Sequence, residues 1–171
     1  MSSHTLTEQL ADVLQQHGWM LATAESCTGG MIAANCTDLS GSSNWFERGF
    51  VTYSNEAKHE MLGVDSALIA EHGAVSEAVA QAMTLGAMRR SHAQVTLAVT
   101  GVAGPTGGSE AKPVGTVWFG WATPGGVWSE VQRFDGDRAG RARRGDPGVS
   151  RRNAWRSAAR GLARLRRRGS R

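Results

Sequence analysis

The run Val95-Thr96-Leu97-Ala98-Val99 constrains this chain more than any other stretch, because five successive uncharged, mostly apolar residues fit a strand covered on both faces. Such strands occur in sheets with helices packed on each side, so the run points to an α/β fold before any other element is placed. It ends in Thr100-Gly101-Val102-Ala103-Gly104-Pro105, whose glycines and proline turn it into a loop at the strand's carboxyl end.

The flanking sequence fills in that frame. Thr5-Leu6-Thr7-Glu8 has capping-box spacing, and Leu6, Leu10, Val13 and Leu14 recur at helical intervals until Gly18 closes the helix. Trp19 to Ala24 is a short apolar run, followed by the small loop Glu25-Ser26-Cys27-Thr28-Gly29-Gly30 and a helix opening on Met31. Phe50-Val51-Thr52-Tyr53 reads as a second strand, Asn55 as the cap of the helix that carries Lys58, and Gly63 as its stop. Ser76 caps a longer helix through about Arg90. Val114 to Ala122 and Val127 to Phe134 flank the turn Pro124-Gly125-Gly126 and form an antiparallel hairpin. The expected architecture is a three-layer α/β/α sandwich on a mixed, mostly parallel sheet, with ligands at the carboxyl ends of the parallel strands.

Length and charge limit the rest. A chain of 171 residues suits one domain with a buried core. A mean hydropathy of -0.32 and an amino-terminal stretch without an apolar run point to a cytoplasmic protein without membrane contact. With Met1 just ahead of the first helix, the domain is expected to stand alone. Cys27 and Cys36 match neither a disulfide framework nor a metal-site spacing, so both are expected as free thiols. Residues 1–129 hold five basic and eleven acidic residues, a net of -6, whereas residues 130–171 hold fourteen and four, a net of +10. The pI near 9.8 therefore belongs to the tail, and nucleic acid is not the expected partner.

Three small, polar, glycine-rich loops stand at strand ends, over residues 24–30, 53–58 and 100–108, and are expected to converge. Ser26 precedes a helix start, where unpaired N–H groups can hold a phosphate or an oxyanion. A lone serine there is more often a helix cap. Lys58 lies five residues after Tyr53, near enough for both to face one pocket, and acts as a base only if burial or nearby cations lower its pKa. His4, His17, His59, His72 and His92 are scattered, which argues against a Ser-His-Asp triad. Trp118 and Trp121 on the hairpin read as packing residues.

In order along the chain, Ala24-Glu25-Ser26-Cys27-Thr28-Gly29-Gly30, Tyr53-Ser54-Asn55-Glu56-Ala57-Lys58, Gly73-Ala74-Val75-Ser76, Thr100 to Pro105, Gly115-Thr116-Val117 and Phe134-Asp135-Gly136-Asp137-Arg138 resemble the signature segments of the CinA C-terminal domain family. The resemblance implies an anticodon-binding-domain-like sandwich that hydrolyses nicotinamide mononucleotide to nicotinate mononucleotide and ammonia, with no metal or organic cofactor. It makes Ser26 the nucleophile, Lys58 its base and Tyr53 a proton-relay or orienting partner. Thr28, Gly29 and Gly30 become an oxyanion or phosphate cradle, Thr100 and Gly101 the opposite wall, and Arg138 a phosphate or ion-pair residue. The expected partners are a small-molecule nucleotide and further copies of the chain. The main rival is a non-catalytic, nucleotide-binding regulatory domain, against which Ser26, Tyr53 and Lys58 together argue.

The resemblance stops at Arg138. The family continues with a second arginine about four residues on and an aliphatic helix, whereas position 142 is Ala142 and residues 139–171 form an arginine-rich tail. Glycines and Pro147 break any helix before about Asn153, so the tail is expected to be irregular or partly helical.

Overall fold

The computed structural model describes residues 5–134 and 160–162. Helix α1 (Leu6–His17) starts with the full capping box, Thr5 accepting from the Glu8 N–H while Glu8 accepts from the Thr5 N–H, and ends at Gly18 in the left-handed region. Strand β1 (Leu21–Glu25) leads into α2 (Met31–Thr37), β2 (Phe46–Val51), α3 (Asn55–Leu62), α4 (Ser66–His72), α5 (Glu77–Arg89), β3 (Val95–Gly101), β4 (Thr116–Thr123) and β5 (Gly126–Arg133).

The sheet order is β2-β1-β3-β4-β5, with β1 parallel to β2 and β3, and β4 and β5 antiparallel. The mixed α/β sheet of the sequence reading is present, including the hairpin. Side-chain alternation sorts the core into two layers. Leu21, Leu97, Val99, Phe119 and Trp121 meet α1 and α2 through Leu10, Leu14, Ile32 and Cys36. Ala24 and Ala98 meet α3, α4 and α5 through Leu62, Ile69, Val79 and Met83. Small residues on this second face let α5 lie close: a Cβ at Gly120 would stand 2.7 Å from the Ala80 carbonyl oxygen.

Three details differ from expectation. Strand β2 runs Phe46–Val51, starting four residues early at a sheet edge, where the charged, mutually paired Glu47 and Arg48 are tolerated, and stopping short of Thr52 and Tyr53. The cap of α3 is Ser54, whose hydroxyl accepts the Ala57 N–H, and Asn55 is the first helical residue. Helix α4, capped by Asp65, had not been expected. In the tail, residues 160–162 are helical and Leu162 is fully buried against the α1 side of the sheet. Gly161 permits this, since a Cβ there would lie 2.2 Å from the Trp121 ring. The segment 139–150, expected to be irregular, lies outside the described residues.

Candidate active site

Strands β1 and β2 are parallel neighbours, and the helices that follow them pack on opposite faces of the sheet, α2 on one and α3 on the other, so the chain parts at their carboxyl ends. Ser26 stands there, one step past β1. Its N–H donates to the Val99 carbonyl at 3.0 Å and its own carbonyl accepts from Gly29 at 3.0 Å. Gly29 and Gly30 have φ of 59° and 99°, a turn that side chains resist, so the glycines fold the chain back into α2.

Lys58 arrives from the opposite direction. It sits one turn inside α3, and side chains on a helix lean toward its amino end, here toward the segment that joins β2 to α3. The residue is only 1% exposed. Its Nζ lies 3.0 Å from Ser26 Oγ and donates to the carbonyls of Thr52 at 3.1 Å, Tyr53 at 3.3 Å and Ser54 at 3.4 Å. Burial holds its pKa below the ordinary lysine range, opposed in part by Cys27 and Glu56.

Glu25, the last residue of β1, received no role from the sequence. It is 1% exposed. Its carboxylate accepts the Thr28 hydroxyl at 2.6 Å and the N–H groups of Gly30 at 3.1 Å, Ile32 at 3.0 Å and Ala33 at 2.8 Å. Helix α2 has glycine at its N-cap and no side-chain cap of its own, so Glu25 caps it from the strand. An acid ending an apolar strand just before a glycine-capped helix is the signal that would have found it.

Several expected binding groups are already engaged. The Thr28 hydroxyl and Gly30 N–H go to Glu25, the Gly29 N–H to Ser26, and the Thr100 hydroxyl to the Ala74 carbonyl at 2.8 Å. Gly101 lies beside Cys27, where a Cβ would stand 3.1 Å from the sulfur. The Tyr53 side chain is 70% exposed, and its hydroxyl makes no hydrogen bond among the described residues. Extended chain alternates its side chains, so burying Thr52 turns Tyr53 outward, and what Tyr53 gives the cluster is its carbonyl. Arg138 lies outside the described residues. Burial pushes the Cys27 thiol up to about 12. The groove between α3 and α4, lined in part by Glu56, His59 and Glu60, includes neither Ser26 nor Lys58. Among the described residues, no helix is long and apolar enough to cross a membrane.

The serine-lysine pair and the loops that hold it lie within a stretch with clear relatives, since residues 3–144 match the family model of the CinA C-terminal domain. The chain belongs to that family. Among curated CinA relatives, the nicotinamide-nucleotide amidohydrolase PncC of Enterobacter agglomerans is 53% identical over 136 residues, covering 79% of this chain and 83% of the relative. The protein of the same name from Escherichia coli K12 is 53% identical over 134 residues, covering 78% and 81%. Among solved structures, a CinA superfamily protein from Klebsiella pneumoniae superposes with a TM-score of 0.85 at 37% identity, covering 98% of this chain and 99% of that one. A competence/damage-inducible protein from Agrobacterium tumefaciens gives 0.81 at 40% identity, covering 97% and 99%.

Proposed function

We propose that this chain hydrolyses the carboxamide of nicotinamide mononucleotide to nicotinate mononucleotide and ammonia, with Ser26 as nucleophile and Lys58 as its base. The observation that carries the mechanism is the 3.0 Å approach of Lys58 Nζ to Ser26 Oγ inside a shell of main-chain carbonyls. The substrate follows from the names of the curated relatives.

A neutral amine has two N–H groups and one lone pair. Once the amine is neutral it keeps the two shorter of its three carbonyl contacts, to Thr52 and Tyr53, gives up the 3.4 Å contact to Ser54, and has its lone pair left for the Ser26 hydroxyl proton. Ser26 Oγ attacks the carboxamide carbon as its proton passes to Lys58, and the tetrahedral oxyanion is met by the N–H groups of Cys27 and Thr28. The Lys58 ammonium then protonates the departing nitrogen, releasing ammonia and leaving an ester on Ser26. Water attacks that ester with Lys58 again as base, and nicotinate mononucleotide leaves. Tyr53 acts through its carbonyl in this scheme.

The test is ammonia release from nicotinamide mononucleotide, with mass spectrometry of the quenched enzyme for an acyl group on the Ser26 peptide. Turnover by Ser26→Ala at the parent rate would overturn the mechanism. Absence of turnover by the parent would overturn the substrate.

A further inference from the structure

We propose that Glu25 is a positioning residue for the reaction at Ser26: by tying off the amino end of α2, its carboxylate leaves the N–H groups of Cys27 and Thr28 to receive the oxyanion. This role presupposes Ser26 as nucleophile and Lys58 as base.

The backbone donors of the segment can be followed one by one. Ser26 donates to the Val99 carbonyl, Gly29 to the Ser26 carbonyl, Met31 to the Thr28 carbonyl and Ala34 to the Gly30 carbonyl. Gly30, Ile32 and Ala33 donate to Glu25. From Ser26 to Ala34, only the N–H groups of Cys27 and Thr28 have no oxygen partner among the described residues. These two positions directly follow the nucleophile. A helix start offers several unpaired N–H groups that compete for an anion. Here an internal carboxylate has taken them, so the anion-receiving point shifts from the helix axis to the turn beside Ser26.

The same carboxylate fixes the geometry of that turn. One oxygen binds the Thr28 hydroxyl together with Gly30 and Ile32, while the other binds Ala33, so both limbs of the loop hang from a single buried group. Oxyanion donors act only when aimed at the position the charge will occupy, and a tilt of the Cys27–Thr28 peptide would weaken them. Glutamine at position 25 cannot reproduce the arrangement. Its NH2 group must face a backbone N–H, and its single oxygen is a weaker, uncharged acceptor.

The experiment uses the full chain with Glu25→Gln and Ser26→Ala, read by ammonia release, thermal melting and inhibition by pyridine-3-boronic acid. Boron takes an electron pair from Ser26 Oγ, whose proton passes to Lys58, and the tetrahedral anion reports the oxyanion donors without turnover. For Glu25→Gln, kcat should fall about tenfold or more while KM stays within about threefold. Affinity for the boronate should fall with kcat, whereas inhibition by nicotinate mononucleotide should not change. A kcat within about twofold of the parent, or boronate and product affinities that fall together, overturns the role of Glu25. If Glu25→Gln does not fold, Thr28→Val replaces it, since it removes one partner of the carboxylate and keeps the Thr28 N–H. The same split is expected there on a smaller scale, and parent-like kcat and boronate affinity in that variant overturn the proposal. An active Ser26→Ala sinks the serine mechanism itself, while an inactive Ser26→Ala beside a parent-like Glu25→Gln sinks the role of Glu25 alone.

Discussion

Lys58 Nζ lies 3.0 Å from Ser26 Oγ although 32 positions separate them in the chain. The contact is made by two elements that enter the site separately, the turn after β1 and the first turn of α3. Groups held this way act as one unit, so their losses should not add.

Ser26→Ala and Lys58→Ala are each expected to lower kcat by about a thousandfold or more, and the double variant should be no slower than the worse single. Ammonia-release kinetics on the three proteins decides this. Two independent, multiplying losses would show that the residues do not work together.

The depressed pKa of Lys58 gives activity and stability a common pH signature. The neutral amine is the active base, so kcat/KM should rise with pH along a limb lying below the ordinary lysine value of 10.5. For stability, the unfolded chain holds more protons than the folded one between the lowered pKa and 10.5, so ΔG of unfolding increases with pH across that window. The penalty of burying the ammonium is fully present below the folded pKa and absent above the unfolded one. Lys58→Met should lack this slope, and identical slopes in denaturant titrations of the two proteins would contradict the assignment.

Thiol reagents should leave the enzyme working. With the Cys27 thiol at about 12, roughly one molecule in ten thousand carries the thiolate at pH 8. Cys36 is fully buried and also raised. Iodoacetamide at pH 8 should therefore label the folded protein slowly at both cysteines with activity retained. Fast alkylation of Cys27 with parallel loss of turnover would count against this.

The carboxyl-terminal segment is open to a stability test. Leu162→Ala should cost about 2–5 kcal/mol, the usual range for emptying a fully buried leucine site. Gly161→Ala should cost about 1–3 kcal/mol because its Cβ would stand 2.2 Å from the Trp121 ring. Unchanged melting in both variants would show that residues 160–162 contribute nothing to the core.

Chelation should have no effect on turnover, since among the described residues no three His, Cys, Asp or Glu side chains converge as metal ligands. Loss of ammonia release in EDTA, restored by a divalent ion, would show otherwise.

Features written in local chemistry were legible in the sequence. The capping box at Thr5 and Glu8, the stop at Gly63, the cap at Ser76 and the apolar β3 each depend on a few adjacent residues. Strand β2 was less legible because Glu47 and Arg48 interrupt its apolar pattern, and α4 is too short to show a helical period. At the site, Ser26 and Lys58 were identified through the family motifs, and the fold brings them together. The outward turn of Tyr53 and the four bonds of Glu25 depend on which face a side chain takes where an element ends, and spacing alone does not carry that information.

The seat of Lys58 consists of the carbonyls of three successive residues, Thr52, Tyr53 and Ser54. Every amino acid brings the same carbonyl, so exchanging one letter for another at these positions cannot delete an acceptor. Adding or losing a letter is different, because it changes how many links join β2 to α3 and carries the oxygens away from the amine. Heritable variation therefore meets an asymmetry here: this part of the machinery is encoded in a count of residues more than in their identities, and length is what descent has to preserve.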